Sequence, residues 1–435
     1  MRIIQKVINV CSRVEGHGKV SYFIQNDNID HVEFEISAFR GFENILVGKN
    51  LKDIPRIVSR ICGLCHASQT IASCKAIEKI YDIQPSSQAI LLRKLLMTGE
   101  LIKSHIMHFF FQSLPDLLEI FQIYKSGSNS YNLVKFDPQL SSNVFDLIKT
   151  GSELNNIFGG RIIHLITPVP GGIIYYPSKK NILLAQKYLQ KSISHIQYII
   201  DRFVELFASK IPPYEFNLNK TSYLGMLNKG KYDRYNGTLN ILPVNMNKLN
   251  FEVNDYKNYF EKDSNLFGIK FLSDIKSILT GPIARFYLIN KDNEIRRNAV
   301  IDNFDTEWKE NILFMNILQL VEVFKEVNNS IEILNKHSLE NKDTLPSLNT
   351  IINQEGFGIV EAPRGTLIHH YHLNKSKIID CVKLFIATEI NFPLLNEKIK
   401  NYAQELYKKE DLESVNRKVQ ILIRAFDPCI SCATH

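Results

Sequence analysis

Apolar and polar residues alternate along the first fifty positions of the chain, a pattern typical of β-strands. Two such runs, KVSYFIQ and HVEFEISAF, are joined by the polar turn NDNID. From about Leu51 to Tyr81 the pattern becomes helical, and this stretch contains the first of two CxxC pairs. The next segment, SSQAILLRKLLMTGELIKSHIMHFFFQ, repeats apolar residues at helical spacing, and Ser86 and Ser87 are candidate caps. We expect a long buried helix there.

The remaining pattern predicts further helices with small sheets between them. FGGRIIHLITPVPGG predicts a loop, and Lys179–Lys210 predicts a second long amphipathic helix. Pro212–Val300 is polar and weakly periodic, with strand-like pieces IKFLSD and ARFYLI. Helical periodicity returns over Thr306–Leu339, EAPRGTLIHHYHL and KIIDCVKLFIAT predict a strand pair, and Glu397–Ile423 predicts a final helix. The fold class is therefore α+β, mainly α.

With 435 residues and 45% hydrophobic composition, the chain can bury a large core. We divide it into an N-terminal β region (1–50), a helical core (51–211), a less readable mixed region (212–300) and a C-terminal metal-binding region (301–435). Because cysteine pairs lie near both ends, we expect one cooperative unit over residues 1–435 whose ends meet inside.

Charge and hydropathy exclude several classes of function. The net charge of +7 is mild and spread along Asn-rich and Lys-rich stretches, so we expect no nucleic-acid partner. No stretch approaches the roughly 18 apolar residues that predict a membrane-spanning helix. The N-terminus lacks the apolar core of a secretory signal, so a reducing cytoplasm is the expected compartment.

Two CxxC pairs carry the strongest chemical signal: Cys62 with Cys65, and Cys429 with Cys432. Four thiolates make a soft metal site if the fold brings the pairs together, although cysteines alone leave a closed zinc centre or a redox pair open. The large separation of the pairs, their polar flanks and the nearby His435 argue against a compact zinc knuckle. We expect the three other cysteines to be packed thiols: Cys11, Cys74 and Cys381.

Five motifs together resemble the large subunit of nickel–iron hydrogenases: RVEGHGKV, RGFE, RICGLC, EAPRGT and DPCISCATH. The likeness extends from Arg13 to His435, and EAPRGTLIHHY and RAFDPCISCATH are most similar to cytosolic branches of that family. The resemblance implies the large-subunit fold, with a core of long helices and small peripheral sheets.

The resemblance also implies a metal centre. Cys62 and Cys429 would be terminal nickel ligands, and Cys65 and Cys432 would bridge nickel to an iron that carries one carbon monoxide and two cyanides. Soft thiolates suit nickel in several oxidation states. The proton released when dihydrogen is split would pass to the Cys429 thiolate or to the guanidine of Arg364.

Further residues acquire roles from the same resemblance. Glu15 would be the first proton relay beyond the metals, although a surface ion pair with Arg13 or a neighbouring lysine is the alternative. Arg364 would lie over the metals, and Pro363 would shape a dry pocket. Asp427 would pair with that arginine.

Two polar groups and one further cation complete the implied site. Thr388 would donate a hydrogen bond to a cyanide on iron. Glu43, the carbonyl of Leu384 and His435 would bind a magnesium-like ion.

The chain departs from the family pattern at two positions. Gln69 stands where the family carries a histidine that donates to the bridging sulfur, and His66 directly follows Cys65. Gln69 can donate through its amide but cannot take up a proton. Ser104 stands where some relatives carry an aspartate. We expect the cluster of His369, His370 and His372 to be solvated or in contact with a partner.

The sequence therefore predicts the catalytic subunit of a cytosolic hydrogenase that interconverts dihydrogen with two protons and two electrons. Because few cysteines are left, iron–sulfur clusters would lie only in partner subunits. Electrons would pass to a small subunit first and then to a further electron-transfer subunit of the flavin, F420, NAD(P) or heterodisulfide-reductase type. A maturation protease and nickel chaperones are also implied. The alternatives are a non-catalytic hydrogen sensor or scaffold, and a zinc-stapled structural protein.

Overall fold

The computed structural model of the chain describes residues 5–36, 41–125, 130–263, 268–272, 275, 278–340 and 344–434. Its N-terminal sheet contains three antiparallel strands in chain order: β1 (Gln5–Cys11), β2 (Gly18–Gln25) and β3 (Asn28–Ile36). The inward side chains of β2 and β3, among them Val20, Tyr22 and Phe34, are fully buried. The predicted strand pair is confirmed as far as Ile36, and residues 37–39 of the second run lie outside the described residues. β1 precedes the pair as a third strand.

The helical core begins with short helices and continues with long ones. Its members are α1 (Phe42–Leu46), α2 (Ile54–Val58), α3 (His66–Tyr81), α4 (Ser87–Met107), a π-helical turn (His108–Ser113), α5 (Leu114–Ile120), α6 (Ser130–Phe136), α7 (Pro138–Gly159) and α8 (Lys179–Phe207). Ser86 caps α4 by accepting from the Ala89 N–H at 3.1 Å, as predicted. The prediction of one helical stretch around the first CxxC was wrong, because these cysteines occupy the turn between α2 and α3.

Two glycines let α4 and α7 approach closely. A Cβ atom added at Gly99 would lie 2.8 Å from the Gly151 carbonyl oxygen, and one added at Gly151 would lie 2.5 Å from the Gly99 carbonyl oxygen. Side chains at either position would force the helices apart. The loop after α7 contains a two-residue ladder of β4 (Pro168–Val169) and β5 (Gly172–Ile173).

The region that was least readable in sequence contains small sheets and short helices. The strands are β6 (Ser222–Leu227), β7 (Thr238–Leu242), β8 (Leu249–Phe251), β9 (Phe260–Lys262), β10 (Ile269–Phe271) and β11 (Ile278–Leu279). A 3₁₀ turn covers Val253–Asn258, and the helices are α9 (Pro282–Leu288) and α10 (Ala299–Asp302). IKFLSD does contain a strand, but ARFYLI was wrongly predicted as one. It lies mostly in α9, which Pro282 can start because its fixed φ suits the first helical turn.

The C-terminal region returns to helices and adds a sheet. It contains α11 (Thr306–Lys309), a 3₁₀ turn (Ile312–Phe314), α12 (Met315–Lys336), β12 (Glu355–Ala362), β13 (Gly365–Leu373), β14 (Ile379–Phe385), α13 (Ala387–Leu406), α14 (Leu412–Ala425) and α15 (Ile430–Ala433). The predicted strand pair is β13 and β14, and β12 extends it to three antiparallel strands. The single final helix was a wrong prediction. The helix α13 ends at Leu406, and Asp411 caps a new helix, α14, by accepting from the Ser414 N–H at 2.8 Å.

The sheet of β12–β14 packs against α3, and this contact positions the site. A Cβ atom at Gly358 would lie 1.9 Å from the Ala72 carbonyl oxygen, so strand and helix backbones touch. The apolar cluster between them includes all four cysteines of the CxxC pairs. Among the residues described, no helix has both the length and the apolar character needed to cross a membrane.

Candidate metal centre

The two CxxC pairs meet in the interior. The Sγ atoms of Cys62, Cys65, Cys429 and Cys432 all lie within 4.8 Å of one another, and each residue is at most 5% exposed. Cys62 and Cys429 sulfurs are 3.4 Å apart, and Cys429 and Cys432 sulfurs are 2.7 Å apart. Within the described residues this is the one group of three or more such ligands close enough to share a metal ion.

Two backbone arrangements bring the pairs together. Cys65 is the N-cap of α3 and Cys429 is the N-cap of α15, so each pair leads into a helix N-terminus. The segment after β1 forms a bridge in which Glu15 accepts the Ile430 N–H through its carbonyl at 3.1 Å. The Glu15 carboxylate also accepts the Ser431 N–H at 3.0 Å. The N-terminal segment thus fixes the position of the C-terminal cysteine pair.

Burial opposes ionisation of most of these thiols unless a cation is bound to them. Hydrogen bonds from Cys429 and Cys432 lower the pKa of Cys62, whereas burial raises the pKa of both Cys429 and Cys432 well above its ordinary value. Four thiolates at this depth require positive charge to be stable. A soft transition metal supplies that charge, and the donor set therefore fits nickel and iron.

Arg364 lies in the turn between β12 and β13 and points over the cluster. Its Nη2 is 2.7 Å from Asp427 Oδ1, a charge contact rather than an aligned hydrogen bond, and its Nε donates to the Asp427 carbonyl at 2.8 Å. The predicted ion pair is therefore present. Nη1 donates to Ser104 Oγ at 2.9 Å. Although burial opposes the charge, Asp427 raises the pKa of Arg364 above its ordinary range, so the guanidinium stays protonated.

A small cavity of about 20 Å³ adjoins the sulfurs. Its lining includes Cys65, Gln69, Ala362, Pro363, Arg364, Leu367, Ile386, Ala387, Thr388, Cys429 and Cys432. Most of these lining side chains are apolar, and a cavity of this volume can hold a diatomic molecule or one water. Thr388 Oγ1 accepts the Cys429 N–H at 2.8 Å, so its own hydroxyl hydrogen can be donated into the cavity.

Glu15 and Arg13 have separate partners. The Arg13 guanidinium pairs with Asp116 and donates to the Gln112 carbonyl at 2.9 Å. Glu15 is half-buried beside Ser431 and makes no described contact with Arg13. Among the described residues, the surface ion pair between Glu15 and Arg13, which was the alternative to a relay, is therefore not formed.

Gln69 takes part in a buried hydrogen-bond chain. Its amide nitrogen lies 3.9 Å from Cys65 Sγ, and its amide oxygen is 2.7 Å from His369 Nε2. Because that oxygen can only accept, Nε2 of His369 carries the proton. His369 Nδ1 is in turn 2.6 Å from the Tyr371 hydroxyl. His369 thereby determines which way the Gln69 amide faces.

The expectation of solvated histidines at 369, 370 and 372 was wrong for the first two. His369 is 0% exposed, and His370 is 3% exposed between the Tyr256 hydroxyl and Glu355. His372 is partly exposed and pairs with Asp380. Alternation along β13 signals two faces, but both faces of this central strand are covered, which the local sequence cannot reveal.

Several buried polar and charged groups that support the site were not predicted from the sequence. The Glu100 carboxylate accepts the Ala67 and Ser68 N–H groups at the start of α3, and burial raises its pKa to about 7. Gln319 donates to Asp427 Oδ2 at 2.9 Å, and Arg285 donates to the Pro363 carbonyl at 3.0 Å. The usable signal was a charged residue within an apolar helical face, as for Glu100 in LLMTGELI.

The residues expected to bind magnesium are only partly described. Glu43 Oε1 accepts the Leu384 N–H at 2.8 Å, so these two residues are adjacent. His435 lies outside the described residues. The Lys262 ammonium is 3.1 Å from the same Glu43 oxygen. A magnesium ion here therefore stays a prediction.

Comparison with known proteins agrees with this geometry. The family model for nickel-dependent hydrogenases matches residues 40–218 and 305–435. One relative is the F420-non-reducing hydrogenase of Methanothermobacter thermautotrophicus. The chain is 27% identical to one subunit of that enzyme, covering 100% of this chain and 95% of that protein. It is also 27% identical to NAD-reducing hydrogenase HoxS subunit beta of Cupriavidus necator, covering 99% and 94%.

A solved structure shows the same fold. A chain of an NAD⁺-reducing [NiFe]-hydrogenase in the H₂-reduced state superposes with a TM-score of 0.91 and 26% identity, covering 100% of both chains. The fold class and the resemblance predicted from sequence are confirmed. Because the family model matches most of the chain, including both cysteine pairs, the chain belongs to the nickel-dependent hydrogenase family.

Proposed function

We propose that the chain is the catalytic large subunit of a nickel–iron hydrogenase that interconverts dihydrogen with two protons and two electrons. The observation that carries this proposal is the cluster of four buried thiols beside a small, mostly apolar cavity, with the Arg364 guanidinium above it. A structural zinc site has no use for such a cavity, whereas a gas-splitting site needs a place where dihydrogen binds without water.

The cluster of four thiols supports the assignment of the metal ligands in this proposal. Cys62 and Cys429 would hold nickel alone, and Cys65 and Cys432 would hold both nickel and iron. When bound, this centre supplies the Lewis acidity that polarises dihydrogen and accepts its two electrons. Soft sulfur donors keep nickel stable in more than one oxidation state.

The first proton acceptor in this proposal is the Cys429 thiolate. Arg364 is a poor base because Asp427 raises its pKa, so it serves as a fixed positive charge over the cavity. The Glu15 carboxylate is the next acceptor. It accepts the N–H of Ser431, which follows Cys429 by two residues at the start of α15.

The cavity wall suits an iron with carbon monoxide and cyanide ligands. The Thr388 hydroxyl can donate to an anionic cyanide, and Pro363 keeps water out. Gln69 donates toward the sulfur of Cys65, which would bridge the two metals, in place of the histidine that the family carries. Its amide tunes the sulfur without exchanging protons.

An exposed apolar patch supports a small-subunit partner. It consists of Ile162 (48% exposed), Ile163 (44%), Ile166 (37%), Ile174 (55%) and Tyr175 (47%). The patch adjoins the first cysteine pair, because His164 Nδ1 lies 2.8 Å from the Ser59 carbonyl. Exposed apolar clusters of this kind mark protein interfaces, and electrons must leave near the metals.

The remaining partners and the compartment are inferred from the relatives. Electrons would reach a final acceptor through further subunits, of the flavin, F420, NAD(P) or heterodisulfide-reductase type. The NAD-reducing relative supports the NAD(P) type, and the F420-non-reducing relative favours an acceptor other than F420. The proposal also includes iron–sulfur clusters in the partner subunits and a cytoplasmic location. It further includes maturation by a protease and nickel chaperones.

Infrared spectroscopy of the purified complex, with nickel quantification, tests the proposal. One carbonyl band and two cyanide bands with stoichiometric nickel are expected. Cys65→Ser should abolish the bands and the nickel, whereas Cys74→Ser, a buried thiol outside the cluster, should keep both. Zinc with no such bands would refute the proposal.

A hydrogen sensor is the second candidate, because it would keep the same ligands. Turnover separates the two functions. The purified complex should reduce an artificial electron acceptor under hydrogen with sustained turnover, whereas a sensor with the same bands would show only a trace of activity.

A further inference from the structure

The Lys262 ammonium lies between two carboxylates near the beginning of α13. Its Nζ is 3.1 Å from Glu43 Oε1 and 3.0 and 2.9 Å from the two oxygens of Glu389. The same ammonium lies 5.4 Å from the centre of the Phe385 ring. The Lys262 side chain is only 16% exposed, and that of Glu389 is fully buried.

This arrangement already satisfies the carboxylates. A buried carboxylate requires a nearby positive charge, and the ammonium contacts both oxygens of Glu389. Glu43 Oε1 receives both the ammonium and the Leu384 N–H. Glu389 also lies in the first turn of α13, where the helix dipole favours negative charge.

A divalent cation does not fit beside these groups. Magnesium requires oxygen ligands at about 2.0–2.1 Å in octahedral geometry. Glu43 Oε1 is already approached by two donors, the Lys262 ammonium and the Leu384 N–H. The ammonium charge would also repel a second cation. Among the described residues, these donors thus disagree with the magnesium site that the resemblance implies, of which His435 lies outside the description.

The lysine comes from a part of the chain that the family model does not match. Glu43 and Glu389 lie in the matched ranges 40–218 and 305–435, whereas Lys262 lies between them on β9. The carboxylates are thus in family-matched segments, and their cation comes from a segment outside the match.

We propose that the Lys262 ammonium is the resident cation at Glu43 and Glu389 and takes the place of a divalent metal ion. The ammonium fixes β9 to α1 and to the first turn of α13. Thr388, in that same turn, lines the cavity next to the sulfurs. The inference does not depend on hydrogenase activity.

Metal analysis and thermal unfolding of the purified complex test this inference. After dialysis against metal-free buffer, the wild-type protein should retain no stoichiometric magnesium, manganese or calcium, and added Mg²⁺ should leave its melting temperature unchanged. Lys262→Met removes the ammonium from between the two carboxylates. This variant should melt several degrees lower, and millimolar Mg²⁺ should bind and restore much of the loss.

Lys257→Met is the matched control. Lys257 lies in the same segment but is half exposed and pairs with the solvent-facing Glu355. Its removal should change neither the melting temperature nor the magnesium content. If Lys262→Met does not fold, the metal content of the wild-type protein decides the question alone.

Two results would overturn the inference. The first is stoichiometric divalent metal, beyond nickel and iron, in the dialysed wild-type protein. The second is a Lys262→Met variant that melts like Lys257→Met and takes up no Mg²⁺. Nickel and the infrared bands report on the hydrogenase proposal separately, so failure of one proposal is distinguishable from failure of the other.

Discussion

Replacement of Arg285 by methionine tests whether a buried ion network holds the turn that carries Arg364. Arg285 is 1% exposed and donates to Glu322 through Nε and Nη2 at 2.7 Å each. It also donates to Glu361 at 2.7 Å and to the Pro363 carbonyl at 3.0 Å. Arg285→Met removes the positive charge but keeps much of the apolar volume.

The expected loss is large because two carboxylates remain buried. Removing one partner of a buried ion pair costs about 3–5 kcal/mol. Burial by itself raises the pKa of Glu322, but Arg285 outweighs burial and lowers the pKa to about 2. Without Arg285, both carboxyl groups should bind protons more readily, so the destabilisation should be greatest at pH 8 and shrink toward pH 5.

Urea unfolding of the chain measures this loss. Trp308, the single tryptophan in the sequence, is fully buried and stacks on Phe121 at 5.5 Å, so its fluorescence reports on the same core as α12. With an m-value of roughly 3–4 kcal/mol per molar urea for a chain of this size, the midpoint should fall by about 1 M.

Arg297→Met is the control, since Arg297 lies on the exposed surface of the same region. It should change the free energy of unfolding by less than about 0.5 kcal/mol. Equal midpoints for Arg285→Met and Arg297→Met, or a difference that does not change with pH, would refute the electrostatic reasoning.

Three further changes have defined outcomes. Thr388→Val leaves a buried N–H without its acceptor and should cost about 1–3 kcal/mol in urea unfolding, whereas Thr388→Ser should cost little. Gly358→Ala places a Cβ 1.9 Å from a backbone oxygen and should lower the melting temperature strongly; Gly63→Ala, with no neighbour within 4 Å, should not. Burial lowers the pKa of His105 to about 4, so stability should fall as the pH decreases from about 6.5 toward 4. His105→Gln should flatten that decrease, and an unchanged pH profile would contradict the assignment.

Much of the site could be predicted because its chemistry lies in short motifs. CxxC spacing identifies paired thiols whatever the distance between the pairs, and the Arg364–Asp427 ion pair follows from two motifs of one family. Long helices such as α8 are visible because a single apolar face repeats over many turns.

Other features could not be predicted, because tertiary contacts decide them. ARFYLI has the composition and the length of a strand, yet Pro282 starts a helix there, and Arg285 anchors that helix to distant carboxylates. The burial of His369 depends on α3 covering one face of its sheet, which the glycine contact at Gly358 permits. Neither cause is local in the sequence.

Residues 219–304, which the family model leaves unmatched, contribute much of the buried positive charge around the site. Arg234 donates to the Glu361 carbonyl at 3.0 Å, Arg285 pairs with the Glu361 carboxylate, and Lys262 pairs with Glu389. Each cation neutralises or fixes a group on the elements that carry the cavity lining. A buried carboxylate without its cation destabilises a fold by several kcal/mol, so these matched elements depend on the unmatched segment. This segment, although outside the family match, is therefore part of the electrostatic structure of the metal centre.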